Sequence, residues 1–307
     1  MIDSHSVDGD TGDAQEFLRF WRRAPPGTPA LRPVEFGALS HQGLVRRNNE
    51  DHYLLARLSR DFEILMTNLP AEDVPMKVRE SGYGMLVADG MGGMVAGEVA
   101  SRLAIQTLIQ IVLEVPNWIL PVDELSGSEL TARVSEYFRE VDSELSRQQA
   151  NDPSLAGMGT TMTLAYSIGA EGFIGHVGDS RAYLVRDGQA QQLTQDHTHV
   201  QRLISAGAIS RQQAATHRLR GVLTQAIGGG QSGHLRVEVH RIQLRDGDRL
   251  LLCTDGLTDM VPDSAIAEAL TKERPAQEIC QDLVNLALGA GGRDNVSVCL
   301  ARYASPK

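Results

Sequence analysis

The chain has 307 residues, of which 42% are hydrophobic and 22% are charged, an ordinary composition for a globular protein with a sizeable core. Its net charge of −10, without a long basic run, argues against a nucleic-acid partner held through phosphate contacts. No stretch approaches the apolar length of a membrane span, the polar N-terminus lacks a secretory signal, and three widely spaced cysteines indicate reduced thiols. We therefore expect a cytoplasmic protein.

Residues 1–34 are predicted to form an N-terminal extension. They are polar, and several prolines up to Pro33 interrupt regular structure. The short apolar run Phe17–Trp21 is compatible with an amphipathic helix that docks on the body or on a partner, although a terminus of this kind is flexible by default. Residues 304–307 are predicted to be a tail.

The folded domain is predicted to span residues 35–303. It begins with strands at Phe36–Ser40 and Tyr53–Ala56. Residues 57–82 are then predicted to be an inserted loop, because they carry prolines and mixed charge without periodicity. A loop of this length is either functional or disordered.

The stretch around Asp89 reads as a strand that ends in a glycine-rich turn. Met85–Ala88 is a short apolar run, and Asp89-Gly90 follows it directly. An amphipathic helical pattern begins at Ala96, and a second one runs from Leu130 to Leu145, which predicts a helix hairpin.

The second half of the chain is predicted to consist mainly of strands. These are expected at Thr160–Ile168, Phe173–Val177, Arg181–Arg186, Gln191–Thr194, Leu235–Leu244, Arg249–Thr254 and Val296–Tyr303, with helices at Asp263–Leu270 and Ala276–Leu288. Residues 196–230 are polar with short helical pieces and are predicted to be a flap. Because strands and helices come in groups, we expect an α+β fold with antiparallel sheets covered by helices.

Four aspartates recur at the edges of apolar strands: Asp89, Asp179, Asp255 and Asp294. If the fold brings them together, their mutual repulsion requires a cation, and carboxylate oxygens suit Mg²⁺ or Mn²⁺ rather than Zn²⁺. Two such ions about 3.5–4 Å apart can activate one water toward a phosphorus centre. Arg46 is equally compatible with a phosphate clamp and with a surface ion pair.

Six sequence blocks occur in the order seen in the metal-dependent type 2C protein phosphatases, and the chain most resembles the bacterial serine/threonine branch. The blocks are Arg46-x-x-Asn49-Glu50-Asp51, Asp89-Gly90-Met91-Gly92-Gly93, Gly157-Met158-Gly159-Thr160-Thr161, Gly178-Asp179-Ser180-Arg181, Asp255-Gly256-Leu257-Thr258-Asp259 and Gly292-Arg293-Asp294-Asn295. They are distributed over the predicted domain Glu35–Tyr303, and six blocks in order are a specific signal.

This resemblance implies a four-layer sandwich, with two stacked antiparallel β-sheets flanked by helices and two Mn²⁺ or Mg²⁺ ions at one end. It implies hydrolysis of phosphoserine or phosphothreonine by a metal-activated water, with phosphorylated proteins as substrates and a cognate kinase as partner. The site residues implied are Asp89 (bridging both ions), the Gly90 carbonyl, Asp255 and Asp294 as ligands; Glu50, Asp51 and Asn295 acting directly or through water; Asp179 and Asp259 for a weaker third ion; and Arg46 for phosphate.

The chain departs from the family pattern at three positions. Met91 stands where animal members carry a histidine proposed to protonate the leaving group. Gly221 and Gln225 replace polar or basic flap residues, which leaves the flap contacts to substrate and third ion open. The insert 57–82 and the N-terminal extension lie outside the resemblance.

Three other functions would require different arrangements of residues. A cysteine-dependent phosphatase needs a thiolate in a Gly-rich loop with a nearby arginine, and Cys253 has neither. A structural Ca²⁺ module needs its ligands at alternate positions of one loop, whereas the acids of this chain are scattered along the sequence. A phosphoprotein-binding module without catalysis remains an alternative, but the retention of Arg46 and the central aspartates favours an enzyme.

Overall fold

A computed structural model of the protein describes residues 34–70, 74, 76–92, 96–114, 125–214, 216–229 and 235–303, with the backbone alone at 78–80. The expected helix at Phe17–Trp21 and the expected tail at 304–307 lie outside the described residues.

The strands form two antiparallel sheets. In chain order they are β1 (Val34–His41), β2 (Asp51–Glu63), β3 (Lys77–Met91), β4 (Gly159–Thr160), β5 (Met162–Ile168), β6 (Glu171–Val177), β7 (Arg181–Arg186), β8 (Gln189–Gln192), β9 (Glu238–Gln243), β10 (Arg249–Cys253) and β11 (Val296–Tyr303). The first sheet has the order β1-β11-β10-β7-β8, and the second has the order β2-β3-β5-β6-β9, with β4 paired to β3.

Helices cover the outer face of each sheet. In chain order the α-helices are α1 (Ala96–Glu114), α2 (Gly127–Asn151), α3 (His199–Ser205), α4 (Arg211–Ala214), α5 (Asp255–Thr258), α6 (Asp263–Thr271) and α7 (Ala276–Gly289), with a 3₁₀ turn at Pro153–Leu155. The apolar stripes of α1 and α2 share a core with the second sheet, and those of α6 and α7 share one with the first sheet.

A third core lies between the two sheets, and strand alternation builds it. On β3, Leu86 and Ala88 face the core with α1 and α2, whereas Met85 and Val87 face the first sheet. The layers are therefore helix, sheet, sheet and helix. This confirms the predicted α+β sandwich.

The expectation of a long loop at residues 57–82 was wrong. β2 and β3 pair without interruption from Asp51 opposite Asp89 to Glu63 opposite Lys77, so both ends of the segment belong to one long hairpin. The distal part of β2 is largely exposed and carries no apolar alternation, and periodicity alone therefore missed it. The expected strand Thr160–Ile168 is also interrupted, at Thr161, whose amide donates to the carbonyl of Asp89.

Helix α1 bears on the expectation that the chain has no membrane span. Within the described residues it is the one helix long and apolar enough to cross a membrane, judged by length and composition alone. Its Ala100, Ala104 and Leu108 are buried in the core with β3. The core helix of a globular protein passes the same test, so this feature is weak support for a span.

Candidate metal centre

The strand ends of both sheets bring four aspartates together. Asp51 and Asp89 are directly opposed where β2 pairs with β3, and Asp255 lies close enough for its charge to raise the pKa of Asp89. Asp255 follows β10 and Asp294 precedes β11, which are neighbouring strands of the first sheet. Thr254 Oγ1 donates to Asp51 Oδ2 at 2.8 Å and so joins the sheets at this end.

These carboxyl groups destabilise one another's charged forms. Burial, together with the charges of Asp51, Asp255 and Asp179, raises the pKa of Asp89 well above its usual value. Burial and the neighbouring Asp294 raise the pKa of Asp255 to about 6, and burial raises that of Asp51 to about 7. Burial and Asp255 also raise the pKa of Asp179. A bound cation would remove this repulsion.

The donor set fits a hard divalent cation. Asp51 Oδ1 and Asp255 Oδ1 are buried and have no hydrogen-bond partner among the described residues. Buried oxygens of this kind are costly unless another group satisfies them. Because Mg²⁺ and Mn²⁺ take carboxylate and carbonyl oxygens, the residues present match those ions.

Two of the glycines that follow the aspartates are required by close packing. A Cβ on Gly90 would lie 2.1 Å from the carbonyl oxygen of Gly97 in α1, and one on Gly256 would lie 1.8 Å from that of Asn295. Real Cβ atoms do not approach backbone this closely. The Asp-Gly pairs therefore reflect the tight meeting of chain segments at the site.

The loop at residues 42–50 holds Arg46 over the acids. Arg46 Nη2 lies 2.5 Å from Asp294 Oδ2, and 54% of the arginine side chain remains exposed. This hydrogen bond raises the pKa of Arg46 further. The guanidinium thus makes the ion pair considered from the sequence, and it also faces the cleft.

The side chain of Asn295 holds this loop by three hydrogen bonds to its backbone, an arrangement that we call the Asn295 clamp. Its Nδ2 donates to the carbonyls of Gln42 and Asn48, both at 2.8 Å, and its Oδ1 accepts from the Glu50 amide at 2.8 Å. Only 5% of Asn295 is exposed. The side chain therefore acts on the shape of the loop that carries Arg46 and Glu50.

Glu50 and Asp51 lie at different depths. Glu50 lines the cleft, and its Oε2 sits so close to Gly97 that a Cβ there would be 2.2 Å away. Burial raises the pKa of Glu50. Asp51 lies deeper, with 4% exposed, between Asp89 and Thr254.

Two threonines that the sequence did not assign a role hold Asp89 in place. Thr161 Oγ1 accepts from the Asp89 amide at 3.0 Å, and Thr160 Oγ1 donates to the Asp89 carbonyl at 2.8 Å. Thr161 Oγ1 also lies 2.8 Å from Ser180 Oγ, next to Asp179. The signal was the block at residues 157–161, whose function only the fold makes visible.

The acids line a cleft of about 790 Å³ between the sheets' ends and the flap. Arg46, Glu50, Asp89, Gly90, Asp179, Asp255, Asp294 and Asn295 line one side, and flap residues 221–226 line the other. Met91 also lines the cleft and offers no ionisable proton. Gln225, another lining residue of the flap, accepts a hydrogen bond at Oε1 from the backbone amide of Arg236 at 3.1 Å.

Asp259 is set apart from the cleft lining. Its Oδ2 pairs with flap residue Arg220 at 3.0 Å, and 45% of its side chain is exposed. It remains close enough to Asp255 and Asp179 for its charge to raise the pKa of both. Asp259 therefore lies near the buried acids but does not line the cleft.

A second group of possible ligands is formed by His176, His197 and Glu238, with one ligand atom of each within 4.8 Å of the others. The Gly178 amide donates to His197 Nδ1 at 3.2 Å, so the proton of the neutral ring is on Nε2. His197 Nε2, which faces Glu238, therefore has no lone pair for a metal. We treat this group as a polar network, in line with the sequence-based view of both histidines.

The three cysteines are free thiols buried in the fold. Burial raises the pKa of Cys253 to about 12, which opposes formation of a thiolate at neutral pH. The geometry thus supports the sequence argument against a cysteine nucleophile.

The chain is similar to bacterial serine/threonine phosphatases. The serine/threonine protein phosphatase PstP of Mycobacterium tuberculosis is 37% identical over 269 residues, covering 87% of this chain; the chain spans 45% of the length of PstP. The serine/threonine phosphatase stp of Listeria monocytogenes is 35% identical over 216 residues, which cover 70% of this chain and 82% of stp.

Solved structures share the fold. The catalytic domain of PstP, crystallised with two manganese ions, superposes with a TM-score of 0.68 at 34% identity, covering 89% of this chain and 99% of that domain. The sequence model of the family described as Protein phosphatase 2C matches residues 60–296. Arg46, Glu50 and Asp51 precede that span, yet the fold carries them to the same cleft as Asp89. On these matches, the chain belongs to the protein phosphatase 2C family.

Proposed function

We propose that this chain is a metal-dependent protein serine/threonine phosphatase. One observation carries the proposal: buried carboxylates from both sheets meet at one end of a cleft, and two of their oxygens have no hydrogen-bond partner among the described residues. Family membership and the names of the relatives support the same activity.

In this proposal Asp89, Asp255 and Asp294, with the Gly90 carbonyl, would hold two Mn²⁺ or Mg²⁺ ions, Asp89 touching both. Glu50 and Asp51 would act directly or through ordered water, while Asn295 fixes the loop beside them. Once bound, two such ions supply Lewis-acid activation of a water and charge stabilisation at the phosphoryl oxygens.

Arg46 is assigned to the substrate phosphate, because its planar fork stands at the rim of the cleft with half of its surface free. The leaving-group proton must come from water or from a group other than residue 91, since Met91 cannot donate one. Asp179 and Asp259 are assigned to a weaker third ion. An ion there would replace the contact between Asp259 and Arg220.

The substrates proposed are phosphoserine and phosphothreonine proteins, with a cognate serine/threonine kinase as partner in signal transduction. A cytoplasmic location is proposed on the basis of the three unpaired thiols. The serine/threonine phosphatases named among the relatives support the substrate class.

The test is hydrolysis of p-nitrophenyl phosphate and phosphothreonine peptides with and without chelator. EDTA should abolish turnover, and Mn²⁺ or Mg²⁺ should restore it and raise the melting temperature, since a ligand that binds only the folded state stabilises it. Full activity in excess EDTA would contradict the proposal. Phosphopeptide binding without turnover would favour the binding-module alternative.

Asp89→Asn and Asp255→Asn should each lower kcat by about 100-fold or more with the fold retained, because each removes a metal-binding charge. The matched control is Asp187→Asn. Asp187 lies in the hairpin between β7 and β8 at φ 51°, a conformation that Asn also tolerates, and this variant should keep full activity.

A further inference from the structure

A short segment, residues 195–198, connects the acid cluster with the flap; we call it the 195–198 strap. The amide of His197 donates to the Gly178 carbonyl at 2.6 Å, and the carbonyl of His197 accepts from the Thr224 amide at 2.7 Å. Thr198 forms an isolated β-bridge with Leu223. The strap is thus bonded to the turn that carries Asp179 on one side and to the cleft-lining flap on the other.

The His197 side chain adds a contact to that turn. Its Nδ1 accepts from the Gly178 amide at 3.2 Å, so both backbone polar groups of Gly178 are bonded to one residue. Only 17% of the His197 side chain is exposed, and burial lowers its pKa, which keeps the ring neutral and its Nδ1 lone pair available.

The other ring nitrogen, Nε2, faces the carboxylate of Glu238. His197 Nε2 lies 3.9 Å from Glu238 Oε2, and Glu238 is itself held by the Gln195 amide at 3.0 Å and by His240. A carboxylate facing Nε2 favours the tautomer with the proton there. Gln195 of the strap thus holds the β9 carboxylate that faces the ring of His197.

Gly178 is the point at which the position of Asp179 is set. Its φ is 118°, and a Cβ there would lie 2.5 Å from the Thr161 side chain, so only glycine fits the turn. Asp179 follows directly and lines the cleft. A glycine has no side chain to restrain it, so hydrogen bonds to its amide and carbonyl must fix the direction in which Asp179 leaves the strand.

We propose that His197 is a positioning residue, which fixes the turn at Gly178 and through it the carboxylate of Asp179 by accepting the Gly178 amide at Nδ1. The metal-binding consequence rests on the proposed function, since it takes Asp179 as a ligand of the weaker ion. The hydrogen bond itself does not depend on that function.

The experiment compares His197→Asn with His197→Gln in the full chain. The Asn side-chain oxygen is separated from Cα by the same number of bonds as Nδ1, and the Gln oxygen by the same number as Nε2. Both variants are neutral amides, so they differ chiefly in which ring nitrogen they replace. The control is His199→Gln, which changes an exposed histidine at the first residue of α3, directly after the strap.

The first readout is hydrogen exchange of the Gly178 amide in protein labelled with ¹⁵N-glycine. Exchange in His197→Gln should be about five- to tenfold faster, the equivalent of one net hydrogen bond, whereas His197→Asn and His199→Gln should stay within about twofold of the parent. The second readout is Mn²⁺ binding, measured as free Mn²⁺ by electron paramagnetic resonance. The dissociation constant of the weaker class of sites should rise about fivefold or more in His197→Gln alone.

Equal exchange rates of the Gly178 amide in both variants and the parent would overturn the inference. So would a Gly178 amide that is protected in His197→Gln but not in His197→Asn, because that result would assign the role to Nε2. A melting temperature lowered equally in both variants, without a difference in Gly178 exchange, would make His197 merely structural and would also overturn it. A parent protein that binds no Mn²⁺ would refute the proposed function, while the exchange of Gly178 would still decide this inference.

Discussion

Two carboxylate oxygens, Oδ1 of Asp51 and Oδ1 of Asp255, define the chemistry of the site at the scale of single residues. Both are buried without a donor in the described part of the chain. The second oxygen of Asp51 does have a donor, Thr254 Oγ1. The residues thus leave free those oxygens that a hard cation would take.

Arg46→Ala should chiefly raise KM, by about 5- to 100-fold, because a charge-assisted bond to phosphate is lost in binding. Steady-state kinetics on a phosphothreonine peptide checks this. Arg293→Ala is the control: this exposed neighbour of Asp294 does not line the cleft, and its removal should leave both constants unchanged. A fall in kcat alone would contradict the phosphate-binding role of Arg46.

At the scale of elements, one buried amide organises the loop that precedes β2. Asn295 makes three hydrogen bonds to the backbone of that loop, from a position just before β11. Sequence reasoning placed Asn295 near the metal, but its bonds are to peptide groups far away in the chain. Such a role follows from the packing of β11 against the loop and has no local signature.

Asn295→Ala should lower the free energy of unfolding by about 1–3 kcal/mol, since it removes three hydrogen bonds between a buried side chain and the backbone of Gln42, Asn48 and Glu50. Urea denaturation measures this, and activity should fall with it because the loop carries Arg46. Asn295→Asp keeps the acceptor for the Glu50 amide, so its loss of stability would differ from that of Ala if the clamp were the cause. A change below about 0.5 kcal/mol in Asn295→Ala would contradict the clamp.

At the scale of the whole molecule, three polar residues lie side by side across neighbouring strands of the second sheet and form a polar row. Thr163, His176 and Glu238 are opposed on β5, β6 and β9, and Thr163 Oγ1 lies 2.8 Å from His176 Nδ1. The ring of His197 covers His176, with centroids 4.9 Å apart. His176 is fully buried, and burial lowers its pKa to about 3.

Because of the buried His176, we expect the folded state to lose stability as the pH falls. Between the usual histidine pKa of about 6.5 and the folded-state value of about 3, the unfolded chain binds a proton at His176 that the folded chain does not, so stability falls as pH falls. Relative to His176→Gln, the wild type should lose up to about 1.4 kcal/mol per pH unit through that window. Urea denaturation at several pH values from 7.5 to about 4 measures the difference, which should be independent of pH above about 7.5. A constant difference down to pH 4 would contradict the assignment.

Much of the fold was predictable because its signals are local. Alternation of apolar residues indicated β5 and β9, and the three-and-four spacing indicated α1, α2 and α7, because apolar side chains recur at the period of one face of each element. The distal part of the β2–β3 hairpin was missed because the end of β2 is largely exposed and carries no apolar alternation. Pairing with a neighbouring strand, rather than its own pattern, makes that segment a strand.

By itself the sequence determined the family resemblance, the acids and the antiparallel layers, because residue types and periodicities carry that information. Only the tertiary structure decided that Asp51 lies opposite Asp89, that Asn295 reaches back to the loop of Arg46, and that His197 bonds both Gly178 and Thr224. These contacts join positions far apart in the chain, and their distances are fixed by how the two sheets and the flap pack together. No spacing along the sequence encodes them.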